Sequence, residues 1–131
     1  MKRIIKFRIP IFESGKFYKF NYHEIEVGVN SYSFGSCIFL GGYEIKEPEQ
    51  FTGAKDMNDK EVYDGDILIN DYNGSLQKVY WSSTEFGWFC QYIGKPNNRS
   101  SLSSSLFYHS KVVGNIHESP ELLNDIPIPI R

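Results

Sequence analysis

The sequence has few cysteines and none of the short motifs that mark common catalytic or cofactor sites. Only Cys37 and Cys90 occur among its 131 residues, and no CxxC pair or Cys/His spacing typical of a zinc site is present. The sequence also has no GxSxG element, no phosphate-binding P-loop and no dinucleotide fingerprint. We therefore expect no cofactor, no metal ion and no enzyme activity.

Long apolar runs are absent as well. No stretch approaches the length of a membrane span, and Lys6 and Arg8 interrupt the apolar start of the chain, which is unlike a signal peptide. We expect a cytoplasmic protein without membrane contact. Both thiols should then be reduced, although two cysteines could also form one disulfide.

A strong net charge is the third feature that the sequence lacks. The formal net charge is −2, so the chain as a whole should attract neither nucleic acid nor anionic membranes. The charges are unevenly spread, however, because basic residues dominate the first twenty positions and most acidic residues lie within residues 44–71. Such asymmetry can steer a charged partner, or it can let copies of the chain associate head to tail.

The sequence is rich in aromatic residues, which make up 16% of the chain and favour strands. Near the start, Ile5, Phe7 and Ile9 alternate with Lys6 and Arg8. This period of two is typical of a strand with one buried face and one face in water. Similar short runs continue along the chain, and no segment shows sustained helical periodicity.

These runs and the turn signals between them predict a mainly β fold. We expect a single domain over residues 1–131 with two lobes, an N-terminal β lobe at residues 1–49 and a small barrel-like, SH3-like half at residues 50–131. The pair Ser119–Pro120 predicts one short C-terminal helix, with serine as the cap and proline in the first helical position. The segment IPIPI near the end cannot form ladder hydrogen bonds at its prolines, so we expect an extended arm.

The segment QFTGAKDMNDKEVYDGDILI at residues 50–69 crowds five carboxylates together. They could be metal ligands, acid and base catalysts, or parts of tight turns. A calcium loop of the EF-hand type starting at Asp56 would need a ligand where Lys60 stands and a glycine where Glu61 stands, so that template fails. We interpret the segment as turns, because Asp and Asn bond to nearby backbone N–H groups and tolerate positive φ. Together with a hairpin signal further along the chain, the predicted turn residues are Asn58, Asp59, Asp64, Gly65, Asp66, Asn73 and Gly74.

The basic first strand is the candidate contact site. Lys2, Lys6 and Arg8 lie on it, close in sequence to the aromatic residues Phe17 and Tyr18. Small β-barrels bind single-stranded nucleic acid through a basic groove and exposed aromatic rings. The alternative use of these rings is to fill the core. The three basic residues are therefore candidates for contact with nucleic acid or with a protein partner.

Three blocks of the sequence resemble the signature blocks of the YopX family, proteins that phages and prophages of bacteria encode. The blocks are IKFRIPIF, QFTGAKDMNDKEVYDGDIL and VVGNIHESPELL, and they occur in the order of the family. The resemblance implies a mainly β, intracellular protein of phage or prophage origin. It implies no catalytic or binding residue, because members of the family have no established activity. Asp59 stands where the family usually has glycine, and Ile9–Pro10 where it usually has an aromatic–acidic pair.

We therefore expect a phage- or prophage-derived accessory protein without catalytic activity, acting as a protein-interaction or self-assembling β module. Its partners would be further copies of the chain, or a host or phage protein. The alternative is a β-barrel protein that binds nucleic acid weakly.

Overall fold

The computed structural model describes residues 4–26, 43–95, 98–102 and 108–123. Within these residues the chain is mainly β, as predicted, and its strands form two antiparallel sheets, one of them curled into a half-barrel. The strands are β1 (Ile4–Glu13), β2 (Lys16–Glu26), β3 (Tyr43–Ile45), β4 (Glu49–Lys55), β5 (Glu61–Tyr63), β6 (Asp66–Asn70), β7 (Leu76–Ser82), β8 (Gly87–Tyr92), β9 (Arg99–Ser101) and β10 (Ser110–Asn115). No helix among the described residues is long and apolar enough to span a membrane.

The chain divides into two compact units, residues 1–51 and residues 52–131, which are called the first unit and the second unit below. The predicted boundary between the lobes lay after residue 49. The first sheet has the strand order β2-β1-β4-β5, with β3 also paired to β1. The second sheet has the order β10-β6-β7-β8-β9 and lies within the second unit.

The first unit is built on the β1–β2 hairpin. Its register runs from Ile4 opposite Glu26 to Glu13 opposite Lys16, with a bulge after Ile11. The turn consists of Ser14 and Gly15, both of which have positive φ. Phe7 and Ile9 are buried and pack with the partly buried Ile25, so this face of β1 is apolar, as the alternation predicts.

The opposite face of β1 departs from the prediction that it lies in water. Lys6 is half-buried, but Arg8 and Pro10 are buried. Arg8 can be buried because Glu49 of β4 lies beside it and neutralises its charge, an arrangement that the alternation along β1 does not reveal.

The second unit has its core on one face of the second sheet. Val62, Leu68, Val79 and Cys90 are fully buried there. The hairpin between β6 and β7 turns at Asn73 and Gly74, and Gly74 has a φ of +73°. Strands β7 and β8 pair from Gln77 opposite Tyr92 to Ser82 opposite Gly87.

The predicted C-terminal helix is only a 3-10 turn over Pro120–Leu123. Ser119 precedes it, and the backbone N–H of Leu122 donates to the carbonyl of Ser119 at 3.0 Å. Proline at residue 127 lacks a backbone N–H, so the sequence leaves room for little more than this turn. The IPIPI segment lies outside the described residues.

Candidate functional site

Asp56 is the first carboxylate of the acidic segment, and it is only 7% exposed. Its Oδ1 accepts hydrogen bonds from the backbone N–H groups of Asn58 at 2.8 Å and Lys60 at 2.9 Å. Its Oδ2 accepts a third from the N–H of Val112 at 2.8 Å. One side chain therefore closes the turn between β4 and β5 and ties it to β10.

Backbone hydrogen bonds reinforce the same connection. The N–H of Asp56 donates to the carbonyl of Lys60 at 2.8 Å, and the N–H of Met57 donates to the carbonyl of Ser110 at 2.9 Å. Strand β10 is the last strand in the order of its sheet, so its outer edge could pair with another chain. The turn covers that edge at Ser110 and Val112.

Asp66 has a similar structural use at the turn between β5 and β6. It is buried, and its Oδ2 accepts the backbone N–H of Tyr63 at 2.8 Å. Gly65 has a φ of +89°, which glycine adopts without strain. Its N–H donates to the carbonyl of Val79, and its carbonyl accepts the N–H of Ile116, both at 3.0 Å. Asp64 lies in the same turn.

Asp59 has a φ of +68°, which is the left-handed conformation. The family that the sequence resembles usually has glycine at this position, and a glycine there implied such a conformation. Its carboxylate lies 3.8 Å from the ammonium of Lys55, and both side chains are exposed. Such a pair contributes little to stability. Asp and Asn tolerate this conformation better than most residues, so the turn keeps its shape without glycine.

Two other sequence features bear on metal binding. Within the described part of the chain, no three His, Cys, Asp or Glu side chains are grouped so that they could hold a metal ion. His23 stacks on Phe7 with ring centres 5.3 Å apart, and His109 contacts Tyr72 at 4.5 Å. Cys90 is buried in the core, and this burial raises the pKa of its thiol to about 12. Cys37 lies outside the described residues.

The predicted basic contact residues have different environments. Arg8 is 4% exposed, its Nε donates to Glu49 Oε1 at 2.8 Å, and its guanidinium lies 4.0 Å from the ring centre of Phe20. The ammonium of Lys6 lies 3.9 Å from a carboxylate oxygen of Glu24. Lys2 lies outside the described residues. Arg8 is thus engaged in the fold of the first unit and is not presented to a partner.

A polar row on the second sheet was not predicted from the sequence. Lys78 of β7 lies opposite Gln91 of β8, and Gln91 lies opposite Arg99 of β9. Opposite residues of neighbouring strands share a face of the sheet, so these three side chains form a row, called the basic row below. A cavity of about 170 Å³ adjoins it and is lined by Lys78, Gln91, Tyr92, Ile93, Gly94 and Leu123. The register that assembles the row is not visible in any local pattern.

Arg99 is held at one end of the basic row. Its guanidinium lies 4.8 Å from the ring centre of Phe89, its Nη1 donates to the hydroxyl of Tyr80 at 3.3 Å, and it forms an ion pair with Glu85. The hydrogen bonds to Tyr80 and then to Glu85 raise the pKa of Arg99. In the first unit, the negative charge of Glu13 raises the pKa of Tyr43.

A comparison with known protein families shows which family the chain belongs to. The family model described as YopX protein matches residues 13–124. The chain belongs to the YopX family. The match includes the second and third blocks of the sequence, whereas IKFRIPIF at residues 5–12 lies outside it. A search of curated proteins finds no match.

This YopX chain also exposes aromatic residues at the end of the β7–β8 hairpin. Their exposure was not predicted from the sequence. Trp81 and Trp88 face each other across the strands, with ring centres 5.3 Å apart and a T-shaped arrangement. Trp81 is 47% exposed, and Phe86, in the connecting turn, is 82% exposed with a φ of +55°. These three residues are called the aromatic tip below.

Proposed function

We propose that this YopX protein is a non-catalytic binding module of phage or prophage origin. It acts in the cytoplasm of the bacterial host, through contacts with a host or phage protein or with further copies of itself. The observation that carries the proposal is the aromatic tip. Phe86 leaves 82% of its surface in water and has a positive φ, and both features lower the stability of the fold.

Residues held in such strained conformations cluster at functional sites. Aromatic side chains supply much of the binding energy of protein interfaces, within a rim of polar groups. The aromatic tip has aromatic side chains with polar groups beside them. Glu85 directly precedes Phe86 in the turn and forms an ion pair with Arg99, so these two charged residues supply the polar rim. The tip therefore has the composition of a contact site for another protein.

The acidic segment supports the non-catalytic part of the proposal. Catalysis by paired carboxylates requires two groups held in different environments in one cleft. Here Asp56 and Asp66 instead accept hydrogen bonds from backbone N–H groups. Their position in the fold is explained by the turns that they close.

Two measurements on the purified chain test this function. Light scattering after size exclusion gives the oligomeric state, and affinity capture from a bacterial lysate detects a protein partner. The test variant is Trp81→Ser combined with Phe86→Ser, and the matched control is Tyr72→Ser, an aromatic residue outside the tip that is 77% exposed. We expect self-association or capture by the wild type and the control, and neither by the tip variant. A strict monomer that captures nothing would contradict the proposal.

Weak binding of nucleic acid is the second candidate, and the basic row favours it. If the second sheet belongs to a small SH3-like barrel, as we also propose, then Lys78 and Arg99 lie on a face of the kind that such barrels use for single strands. Tyr80 and Phe89 occupy the next positions of the same face. The row could contact phosphates, with the aromatic rings beside it.

This candidate predicts salt-dependent binding to single-stranded or double-stranded DNA. Lys78→Glu should weaken it, whereas Lys55→Glu, an exposed lysine outside the row, should have a smaller effect. Lys6→Glu tests the first strand separately. Charge reversal at Arg8 is unsuitable as a test, because it would break the buried pair with Glu49. Undetectable binding at low salt would eliminate this function.

A further inference from the structure

A group of buried polar atoms in the second unit has no hydrogen-bond partner among the described residues. They are the hydroxyl oxygens of Ser75 and Ser110 and both polar atoms of the Gln77 side chain. Gln77 and Ser110 are fully buried. Native proteins pair nearly all such groups, because an unpaired buried amide is strongly destabilising. The two ends of the Gln77 carboxamide require both an acceptor and a donor.

The strand register places these side chains on one face of the second sheet. Leu68 of β6 lies opposite Gln77 of β7, and Asn70 lies opposite Ser110 of β10. The backbone N–H of Asn70 donates to the carbonyl of Ser75 at 2.9 Å, which continues the β6–β7 ladder. Alternate residues of a strand point to the same face, so the three side chains share the face of Leu68 at one end of the apolar core.

Neighbouring strands lie about 4.8 Å apart, and alternate residues of one strand about 6.7 Å apart. Ser75 and Gln77 are alternate residues of one chain segment, and Ser110 is separated from Ser75 by Asn70. Serine and glutamine side chains that stand at these backbone spacings can be linked by one or two small molecules. The three side chains are neutral, and a buried ion would find no opposite charge among them.

We propose that Ser75, Gln77 and Ser110 bind internal water at this end of the core. Water is small enough for a site without access to solvent, and it both donates and accepts hydrogen bonds, as the Gln77 carboxamide and the two hydroxyls require. Buried waters commonly make about three hydrogen bonds to groups of this kind.

Magnetic relaxation dispersion of water nuclei in a solution of the full chain counts the long-lived internal waters and tests the proposal. The test variant is Gln77→Met, which keeps the length of the side chain and removes its polar atoms. The matched control is Gln91→Met, on the opposite face of the same hairpin. We expect about one long-lived water fewer in Gln77→Met than in the wild type, and no change in Gln91→Met.

An unchanged count in Gln77→Met would overturn the proposal, as would a wild type with no long-lived water at all. If Gln77→Met does not fold, Ser110→Ala is the smaller change, and the same fall in the count is expected for it. An equal fall in Gln91→Met would also refute the assignment, because it would place the water elsewhere.

Discussion

Replacing Asp56 with asparagine should destabilise the second unit by about 2–4 kcal/mol. Asparagine has the shape of aspartate, but one carboxylate oxygen becomes an NH₂ group, which cannot accept a hydrogen bond. If the remaining oxygen serves Asn58 and Lys60, the NH₂ group faces the N–H of Val112. That partly buried N–H then loses its acceptor, which costs about 1–3 kcal/mol, and the two remaining hydrogen bonds no longer have a charged acceptor.

Urea unfolding at neutral pH, followed by tryptophan fluorescence, measures this change. Both tryptophans are in the second unit, as is Asp56, so the signal reports the relevant part of the chain. The control is Asp59→Asn, because the Asp59 side chain is 85% exposed and its ion pair with Lys55 is loose. It should change the free energy of unfolding by less than about 0.5 kcal/mol.

Hydrogen exchange gives a second, local measurement. The amide of Val112 should exchange faster in Asp56→Asn than in the wild type, and more so than neighbouring amides of β10. A variant with wild-type stability and an unchanged Val112 amide would refute the structural role of Asp56. The metal and catalytic interpretations of the acidic segment would then be open again.

Three further predictions concern Glu49, Cys90 and Gly114. Glu49→Gln should cost about 3–5 kcal/mol of stability by removing the negative charge that the buried guanidinium of Arg8 faces, while replacing both with methionine should restore much of it, as measured by urea unfolding. With the other cysteine changed to serine, Cys90 should react with thiol reagents at pH 8 only at the rate of unfolding, and fast labelling of the native state would contradict its burial. Folding raises the pKa of the Cys90 thiol from 9.0 to about 12. The stabilisation that comes from this shift is complete below pH 9, and it falls by about 1.4 kcal/mol per pH unit between pH 9 and pH 12. Gly114→Ala should cost about 1–3 kcal/mol in thermal or urea unfolding, because a Cβ there would lie 2.8 Å from the Cβ of Ser119, whereas Gly87→Ala has room and should be milder.

The features of the fold that depend only on residues close together in the sequence could be predicted from it. The alternation of Ile5, Phe7 and Ile9 gave the first strand because it reflects the period of the backbone itself. The comparison of Asp59 with a usual glycine indicated a left-handed residue, and its φ of +68° agrees. Such features are fixed by local sterics, so a short segment contains the information needed.

The environment of Arg8 could not be predicted in this way. Its partner Glu49 is 41 positions away in the sequence, and the acceptor of the Val112 N–H is 56 positions away. Which face of a strand is covered depends on such distant partners, and the alternation of Lys6 and Arg8 gives no information about them. The basic row likewise exists only because the register of three strands places its residues opposite one another.

The geometry of Asp56 also explains why an acid-rich segment need not be a metal site. A carboxylate offers about four lone-pair positions, and backbone N–H groups occupy three of those of Asp56. One position is left, so a divalent ion could take more than one of these lone pairs only by displacing the Val112 N–H or the amides of the turn, and metal binding and the fold then compete for the same oxygens. Negative charge is useful at this position because it strengthens the partly buried hydrogen bonds from these backbone N–H groups. The number of acids in a segment is therefore a weaker guide to metal chemistry than the number of their oxygens that the backbone leaves available.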